Sequence, residues 1–400
     1  MSLIAARLNR IKPSPSSMAS QRARELRAAG RDIISLTSGE PDFDTPAHVC
    51  EAVVSAMAAS KTKYTDVGGT PELKASIIKK FKRDNDLDYL ENEIIVGTGG
   101  KQIIFNALMC TVEAGAEVIV PTPYWVSYPD IVLLAEGKPV FVPGLPQNGF
   151  KLSPQDLECA ITPRTRWLIL NAPNNPSGAA YTAAELRALA DVLLRHPHVW
   201  IMTDDIYEHI LYDGRQFSTI AQIEPALKDR TLTINGVSKA YSMTGWRIGY
   251  GGAPAALVKA MTKLQSQSTS NASSISQAAA TAALNGPQDF IEERTRIFQE
   301  RRDLVVGELN TIPGLSCHLP EGAFYAFPSC AGVIGKKTPQ GKILKSDEEF
   351  VLYLLEQQNL AVIQGDAYGV SPFFRISFAT SMSELKEGCR RLRLACEALS

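Results

Sequence analysis

One lysine and one arginine stand eight residues apart in the run Asn235-Gly236-Val237-Ser238-Lys239-Ala240-Tyr241-Ser242-Met243-Thr244-Gly245-Trp246-Arg247-Ile248-Gly249. An amine beside an anion-binding guanidinium suits a lysine that holds an aldehyde cofactor as a Schiff base, with the cofactor's phosphate on the arginine. A surface lysine and a structural arginine on a glycine-containing loop fit the same spacing. The pair needs company before it means anything.

Other segments supply candidates for that company. Gly97-Thr98-Gly99-Gly100-Lys101 follows a strand-like run and opens a helical one. Backbone N–H groups at a helix N-terminus bind phosphate. The spacing is neither Gly-x-Gly-x-x-Gly nor a P-loop, which disfavours NAD or ATP. Thr203-Asp204-Asp205-Ile206-Tyr207-Glu208 closes another apolar run. A carboxylate at Asp204 suits a pyridine nitrogen that must stay protonated, and Tyr207 suits a phenolic oxygen on the same ring. In Asn171-Ala172-Pro173-Asn174-Asn175-Pro176-Ser177-Gly178, Asn175 offers an amide donor to that oxygen, which would lower the pKa of a Schiff base. Trp125, in Pro123-Tyr124-Trp125-Val126-Ser127-Tyr128, can stack on a ring. Arg375 lies in the apolar run Phe374-Arg375-Ile376-Ser377 and needs a partner, for which a carboxylate is the natural choice. Each segment also has a plain structural reading: a turn, an N-cap, a packed aromatic, a salt bridge.

The elements between these segments bring them into one scheme. Short apolar runs at Glu93–Val96, Glu117–Pro121, Pro139–Val142, Trp167–Asn171, Trp200–Asp204, Thr231–Asn235 and Ile248–Gly251 predict strands. Amphipathic stretches such as Gln102–Val112 and Ala183–Arg195 predict helices between them, the second opened by a Thr182/Glu185 capping box. Strand–helix alternation predicts an α/β fold with a mostly parallel sheet. Ligands of such sheets bind beyond the strands' carboxyl ends. Asn175, Asp204 and Lys239 all fall there. A charged helix is expected from Asp289 to Glu308, a solvent loop at Gly335–Lys345 and a C-terminal helix from Ser383. The expected division is a large domain at 47–290 and a smaller one built from 1–46 and 291–400.

The 400 residues carry a formal net charge of -1 with 45% hydrophobic residues, so neither nucleic acid nor an anionic membrane is an expected partner. Arg7 and Arg10 interrupt the first apolar residues, and no apolar run reaches the ~18 of a membrane span. A cytoplasmic protein is expected. Seven cysteines without a Cys-x-x-Cys pair disfavour a disulfide framework or a zinc site. The neighbours His196 and His198 flank Pro197 in a turn, and no metal is expected there.

Together the ordered segments resemble the aspartate aminotransferase family of class I, pyridoxal-phosphate enzymes, in a bacterial branch that includes enzymes accepting prephenate. The likeness runs from about Lys12 to the C-terminus. It includes Gly39-Glu40-Pro41-Asp42, Lys61-Thr62-Lys63-Tyr64, the Lys239 string and Phe374-Arg375. The resemblance implies the type I PLP-dependent transferase fold and a homodimer with shared active sites. It implies Lys239 as the lysine that binds pyridoxal 5'-phosphate, Asp204 at the pyridine nitrogen, and Asn175 and Tyr207 at the phenolic oxygen. Trp125 would stack on the ring. Gly99, Gly100, Lys101, Ser238 and Arg247 would surround the phosphate, with Tyr64 reaching it from the partner. Arg375, Asn175 and Gly39 would receive the substrate's α-carboxylate, and Lys101 with Ser16 its far end. Two positions depart from the pattern: Gly236 replaces a phosphate-binding serine of some relatives, and Ser16 a threonine.

The implied activity is ping-pong transfer of an amino group from an L-amino acid, aspartate or glutamate first, to a 2-oxo acid, 2-oxoglutarate or oxaloacetate. Aromatic amino acids or prephenate are alternative substrates. Lyase chemistry on the same cofactor is the alternative reaction. A cofactor-sensing regulator would need a DNA-binding module, for which the residues ahead of Lys12 are too few.

Overall fold

A computed structural model describes residues 3–400, apart from the side chain of Ser16. A seven-stranded sheet forms its centre. In spatial order its strands are Ile94–Gly97, Gly249–Gly252, Thr231–Gly236, Trp200–Asp204, Thr165–Asn171, Glu117–Thr122 and Lys138–Pro143. All point the same way except Gly249–Gly252, which is antiparallel to both neighbours. Every strand expected from the apolar runs is present.

Strand alternation sends successive side chains to opposite faces. Trp167 and Ile169 join a core with Ile104 and Leu108 of the helix Gly100–Thr111. Leu168 and Leu170 join another with Leu186 and Leu189 of the helix Ala183–Arg195. Helices therefore cover both faces, which is why these strands read as unbroken apolar runs. The Thr182/Glu185 capping box forms as expected: Glu185 N–H donates to Thr182 Oγ1 at 3.2 Å, and Thr182 N–H to Glu185 Oε2 at 2.7 Å.

A close backbone approach fixes one helix over the sheet. A Cβ on Gly249 would lie 2.1 Å from the Gly100 nitrogen. Only glycine there lets the N-terminus of the helix Gly100–Thr111 rest on the strand.

Both chain ends build the remainder together. Ile34–Ser35 pairs in parallel with Leu360–Ala361. Ile363–Gln364, Phe374–Ser377 and Tyr325–Ala326 form an antiparallel sheet. Leu36, Phe298, Val305, Phe374 and Leu385 share one core with residues of the helices Asp289–Leu309 and Met382–Glu397. Ahead of them lies α1, Pro15–Ala28. No helix is expected from the sequence at this start. Pro15 stands in the first helical turn, where its missing N–H costs nothing. Ala23 and Leu26 of α1 pack on Ile33 and Ala361.

The expected solvent loop at Gly335–Lys345 is exposed along most of its length, with two buried positions, Thr338 and Leu344. Leu344 is fully buried, Lys337 bridges Ile343, and Lys337 exchanges two backbone hydrogen bonds with Ser400. Leu344, rather than its exposed neighbour Ile343, anchors the turn beside the C-terminus.

Candidate active site

The carboxyl ends of three neighbouring strands deliver the central groups. Asn171 pairs in register with Asp204, and Asp204 with Ile234. Asn171 Nδ2 donates to the Asp204 carbonyl at 2.8 Å, and its Oδ1 accepts from Asn175 N–H at 2.9 Å. The amide thus ties the turn carrying Asn175 to the strand carrying Asp204. Lys239 follows Thr231–Gly236. A cavity of about 400 Å³ opens over these ends. Gly39, Gly100, Lys101, Trp125, Asn175, Asp204, Tyr207, Ser238, Lys239, Arg247 and Arg375 all line it.

The Lys239 amine donates to the Gly39 carbonyl at 2.5 Å. Burial lowers its pKa to about 8, and the charge of Arg247 adds to the shift. A lysine so placed is largely neutral at mildly alkaline pH and can act as nucleophile or base.

Asp204 is buried and raised to about 6, chiefly by desolvation. Tyr128 donates to its Oδ2 at 2.6 Å and counters that rise. A cationic ring nitrogen against this carboxylate would restore its charge. Tyr207 and Tyr325 join hydroxyls at 2.8 Å, so Tyr207 arrives oriented.

Arg375 is buried and has three donor directions. Nη1 donates to Asn175 Oδ1 at 3.0 Å and Nη2 to the Thr37 carbonyl at 2.7 Å. Among the described residues its Nε has no hydrogen-bond partner. The guanidinium lies over the Tyr325 ring, 4.4 Å from its centroid. A buried guanidinium held by two neutral oxygens lacks a counter-charge, and an incoming carboxylate supplies one.

An anion cradle faces this group. Gly99 precedes the helix Gly100–Thr111 with φ +85°, and a Cβ there would lie 2.3 Å from Arg247 Nη2. Glycine therefore lets the guanidinium approach the helix N-terminus. Arg247 itself has φ 55°, uncommon for a side-chain-bearing residue and worth about 1–2 kcal/mol of strain. Its Nη1 donates to the Thr244 carbonyl at 3.1 Å and its Nη2 to the Thr98 carbonyl at 3.4 Å. Strain of this kind holds a functional arginine in a position that relaxed backbone would not give.

Lys101 Nζ lies 4.8 Å from the Trp125 ring centroid. The residue is exposed at the cavity's side, yet desolvation and Arg247 lower its pKa. The remaining expected residues are Tyr64, assigned to the partner's phosphate, and Ser16. Tyr64 is 92% exposed and outside the cavity wall. The side chain of Ser16 lies outside the description. The Gly236 departure has a steric reason: a Cβ there would lie 2.9 Å from the Ile248 carbonyl oxygen.

His196 contacts Glu158 at 2.7 Å and His198 the Thr162 carbonyl at 3.0 Å. Asp84, Glu208 and His209 do cluster with metal-ligand reach. Lys80 is ion-paired with Glu208 and 3.8 Å from Asp84. The lysine holds the positive charge that a metal would bring.

A family model described as aminotransferase class I and II matches residues 31–392. The chain belongs to this family. This aminotransferase is 59% identical over 396 residues to the aspartate aminotransferase of Rhizobium meliloti (strain 1021), covering 99% of this chain and 97% of that protein. It is 56% identical over 400 residues to the aspartate/prephenate aminotransferase of Cereibacter sphaeroides, covering 100% of both. The crystal structure of the aspartate aminotransferase from Rhizobium meliloti superposes with a TM-score of 0.97 at 58% identity, covering 100% of both chains. The fold is that of the type I transferases to which the resemblance pointed.

Several residues of this aminotransferase's cavity are not singled out from the sequence, among them Thr37, Tyr128, Asn171 and Tyr325. Tyr128 sits three residues after Trp125, so both turn to one side of a helix start. That spacing was a usable signal. Thr37 acts through its carbonyl and Tyr325 comes from the far side of the chain, and neither has a local signature.

Proposed function

We propose that this aminotransferase moves the amino group between aspartate or glutamate and 2-oxoglutarate or oxaloacetate, with pyridoxal 5'-phosphate as cofactor. One observation carries the reading. A depressed lysine amine, a buried carboxylate and a buried guanidinium with a free Nε meet in one cavity with an anion cradle. That set fits a phosphorylated pyridine aldehyde and an amino acid together. The names of the relatives support the dicarboxylate preference, and one of them supports prephenate as a second substrate.

Bound there, pyridoxal phosphate supplies an aldehyde for the amino group and a ring that withdraws electrons from the substrate's α-carbon. Lys239 is the residue to hold the aldehyde and, once released, to carry the α-proton as general base. Its pKa near 8 leaves a useful neutral fraction at working pH. Asp204 holds the ring nitrogen protonated, and Tyr128 keeps that carboxylate aimed. Asn175 spends its Oδ1 on Arg375 and keeps Nδ2 as donor for the phenolic oxygen, beside Tyr207. Gly99, Gly100, Lys101, Ser238 and Arg247 hold the phosphate. Arg375 receives the α-carboxylate through Nε, with Gly39 beside it, and the Thr37 and Asn175 contacts fix the plane of its fork. Lys101 and Ser16 serve the far end of the substrate.

The active form is a homodimer in which Tyr64 completes the phosphate site of the partner; Val54, Met57 and Tyr64 are exposed on this protomer. Residues 1–46 and 291–400 act as one small domain against 47–290, since Ile34–Ser35 pairs with Leu360–Ala361 and Arg391 is tied to Asp32. The cytosol suits its seven free cysteines. No helix among the described residues is long and apolar enough to cross a membrane.

The test supplies cofactor-loaded enzyme with aspartate and 2-oxoglutarate and follows both products, oxaloacetate and glutamate, in equal amounts. Release of ammonia or carbon dioxide instead would assign lyase chemistry and end the transamination reading.

A further inference from the structure

The cavity has a fifth cation that neither the sequence pattern nor the resemblance assigned. Besides Lys101, Lys239, Arg247 and Arg375, Arg24 lines it. Arg24 stands on α1, and Ser17 and Ser20 line the cavity from the same helix. Positions 17, 20 and 24 are spaced by three and four, so they form one helical face. The neighbouring face, Ala23 and Leu26, is packed on Ile33 and Ala361. Packing therefore fixes which side of α1 looks into the cavity.

The other basic side chains of this segment are occupied. Arg22 lies 3.6 Å from Glu25, Arg27 donates to the Ile33 carbonyl at 2.8 Å, and Arg31 donates to Asn359 and the Leu355 carbonyl. Glu25, the one acid of α1, also accepts from Gln21 at 2.9 Å. Among the described residues Arg24 has no hydrogen bond or ion pair. Arg24 is exposed, and an unpaired guanidinium at the rim of a binding cavity is a donor fork open to an anion.

The face that bears Arg24 is coupled to the carboxylate-binding end. Ser20 Oγ and Thr37 Oγ1 are 3.0 Å apart, and the Thr37 carbonyl accepts from Arg375 Nη2 at 2.7 Å. Arg24 stands one helical turn beyond Ser20 on the same face of α1. Lys101 stands differently: its amine is over Trp125 and within the field of Arg247. That makes Lys101 the cation nearer the phosphate cradle and Arg24 the one on the α1 side.

We infer that Arg24 is a further specificity-determining residue, which receives the distal carboxylate of dicarboxylic substrates and products from the α1 side, in addition to Lys101. This rests on the transaminase reading above and adds to it. The chemical class is a four- or five-carbon α-amino or 2-oxo dicarboxylate. A substrate whose side chain ends in a methyl group or a ring leaves Arg24 in water.

The test compares wild type, Arg24→Gln, Arg24→Lys and Lys101→Ala as cofactor-loaded enzyme. For each, kcat/KM is measured with glutamate, aspartate, alanine and phenylalanine. Binding of succinate and of butyrate is measured by calorimetry, a readout free of turnover. Arg24→Gln is expected to lower the glutamate-to-alanine ratio of kcat/KM about ten-fold, the effect of one lost charge-assisted pair. The succinate-to-butyrate affinity ratio should fall alongside, and Arg24→Lys should restore part of both. Unchanged ratios in Arg24→Gln would make Arg24 a solvated rim charge and overturn the inference. So would an equal loss for glutamate and alanine, which marks a structural role, or a collapse of the ratios in Lys101→Ala alone. A wild-type enzyme that transaminates none of the four amino acids would instead overturn the transaminase reading itself, and the succinate-to-butyrate ratio would still judge Arg24.

Discussion

Lys239 shows how one environment shapes both chemistry and stability. Its amine is desolvated, so the charged form is penalised and the pKa falls from 10.5 to about 8. Between those values the unfolded chain binds more protons at this residue than the folded chain. Stability from this group therefore rises with pH across about 8 to 10.5, and is lost as pH falls through 8. Cofactor-free Lys239→Met should be more stable than cofactor-free wild type at pH 7 by about 2–3 kcal/mol. The difference should shrink as pH approaches 10.5, and denaturant midpoints across that range check it. The same substitution should abolish turnover. A second prediction concerns Tyr128, whose hydroxyl lowers the pKa of Asp204 from the position desolvation would give it. Tyr128→Phe should push the Asp204 pKa above about 6 and lower kcat about ten-fold, through loss of one hydrogen bond to a charged group. Its pH–rate profile should move with the carboxylate, which a loss of packing alone would not cause.

At the scale of elements, the anion cradle depends on a helix start and a strained loop meeting without a side chain between them. Gly99 has φ +85°, and a Cβ there would strike Arg247 Nη2. Gly99→Ala should displace that guanidinium and weaken binding of the phosphorylated cofactor at least about ten-fold, measured by equilibrium dialysis. The fold should survive, since the strand Gly249–Gly252 still carries the helix. A contrasting substitution is Thr182→Ala, which removes the capping box of the helix Ala183–Arg195. It should cost about 1 kcal/mol of stability and leave kcat/KM unchanged, because this helix packs on the sheet and supplies no group to the cavity.

The whole molecule raises the question of what completes the site. Tyr64 matches a residue that the family resemblance assigns to the partner's phosphate, and it is almost fully exposed on a single protomer. Light scattering should give twice the chain mass for active enzyme. Tyr64→Phe should keep that mass and bind the cofactor more weakly. Mixed dimers of Tyr64→Phe and Lys239→Ala protomers locate the effect. Only the site with intact Lys239 can turn over, and the shared-site reading gives it an intact Tyr64 from the other protomer. Such a mixed dimer should regain cofactor affinity at that site. An active monomer of wild-type protein would remove the claim.

The local sequence determined the strands, because residues buried on both faces of a parallel sheet must be apolar throughout, and Thr165–Asn171 and Thr231–Gly236 are legible for that reason. It determined the helix Ala183–Arg195, whose cap and apolar stripe lie within one segment. It also carried the groups that sit at strand ends, Asn175, Asp204 and Lys239, since the place of a strand end is set locally. Tertiary structure decided the rest. Arg375 acquires a free buried Nε only when Thr37 and Asn175, far apart in the chain, take its other donors. Tyr325 reaches Tyr207 across 118 positions. Leu344 is buried while the adjacent Ile343 is exposed, because the C-terminus covers one side of the turn. Arg24 looks like any surface arginine of a polar helix until packing of Ala23 and Leu26 fixes which side of that helix meets the cavity. Periodicity and caps act over a few residues and can be read directly. The partner of a buried charge is chosen by the folded chain as a whole, and no local pattern records it.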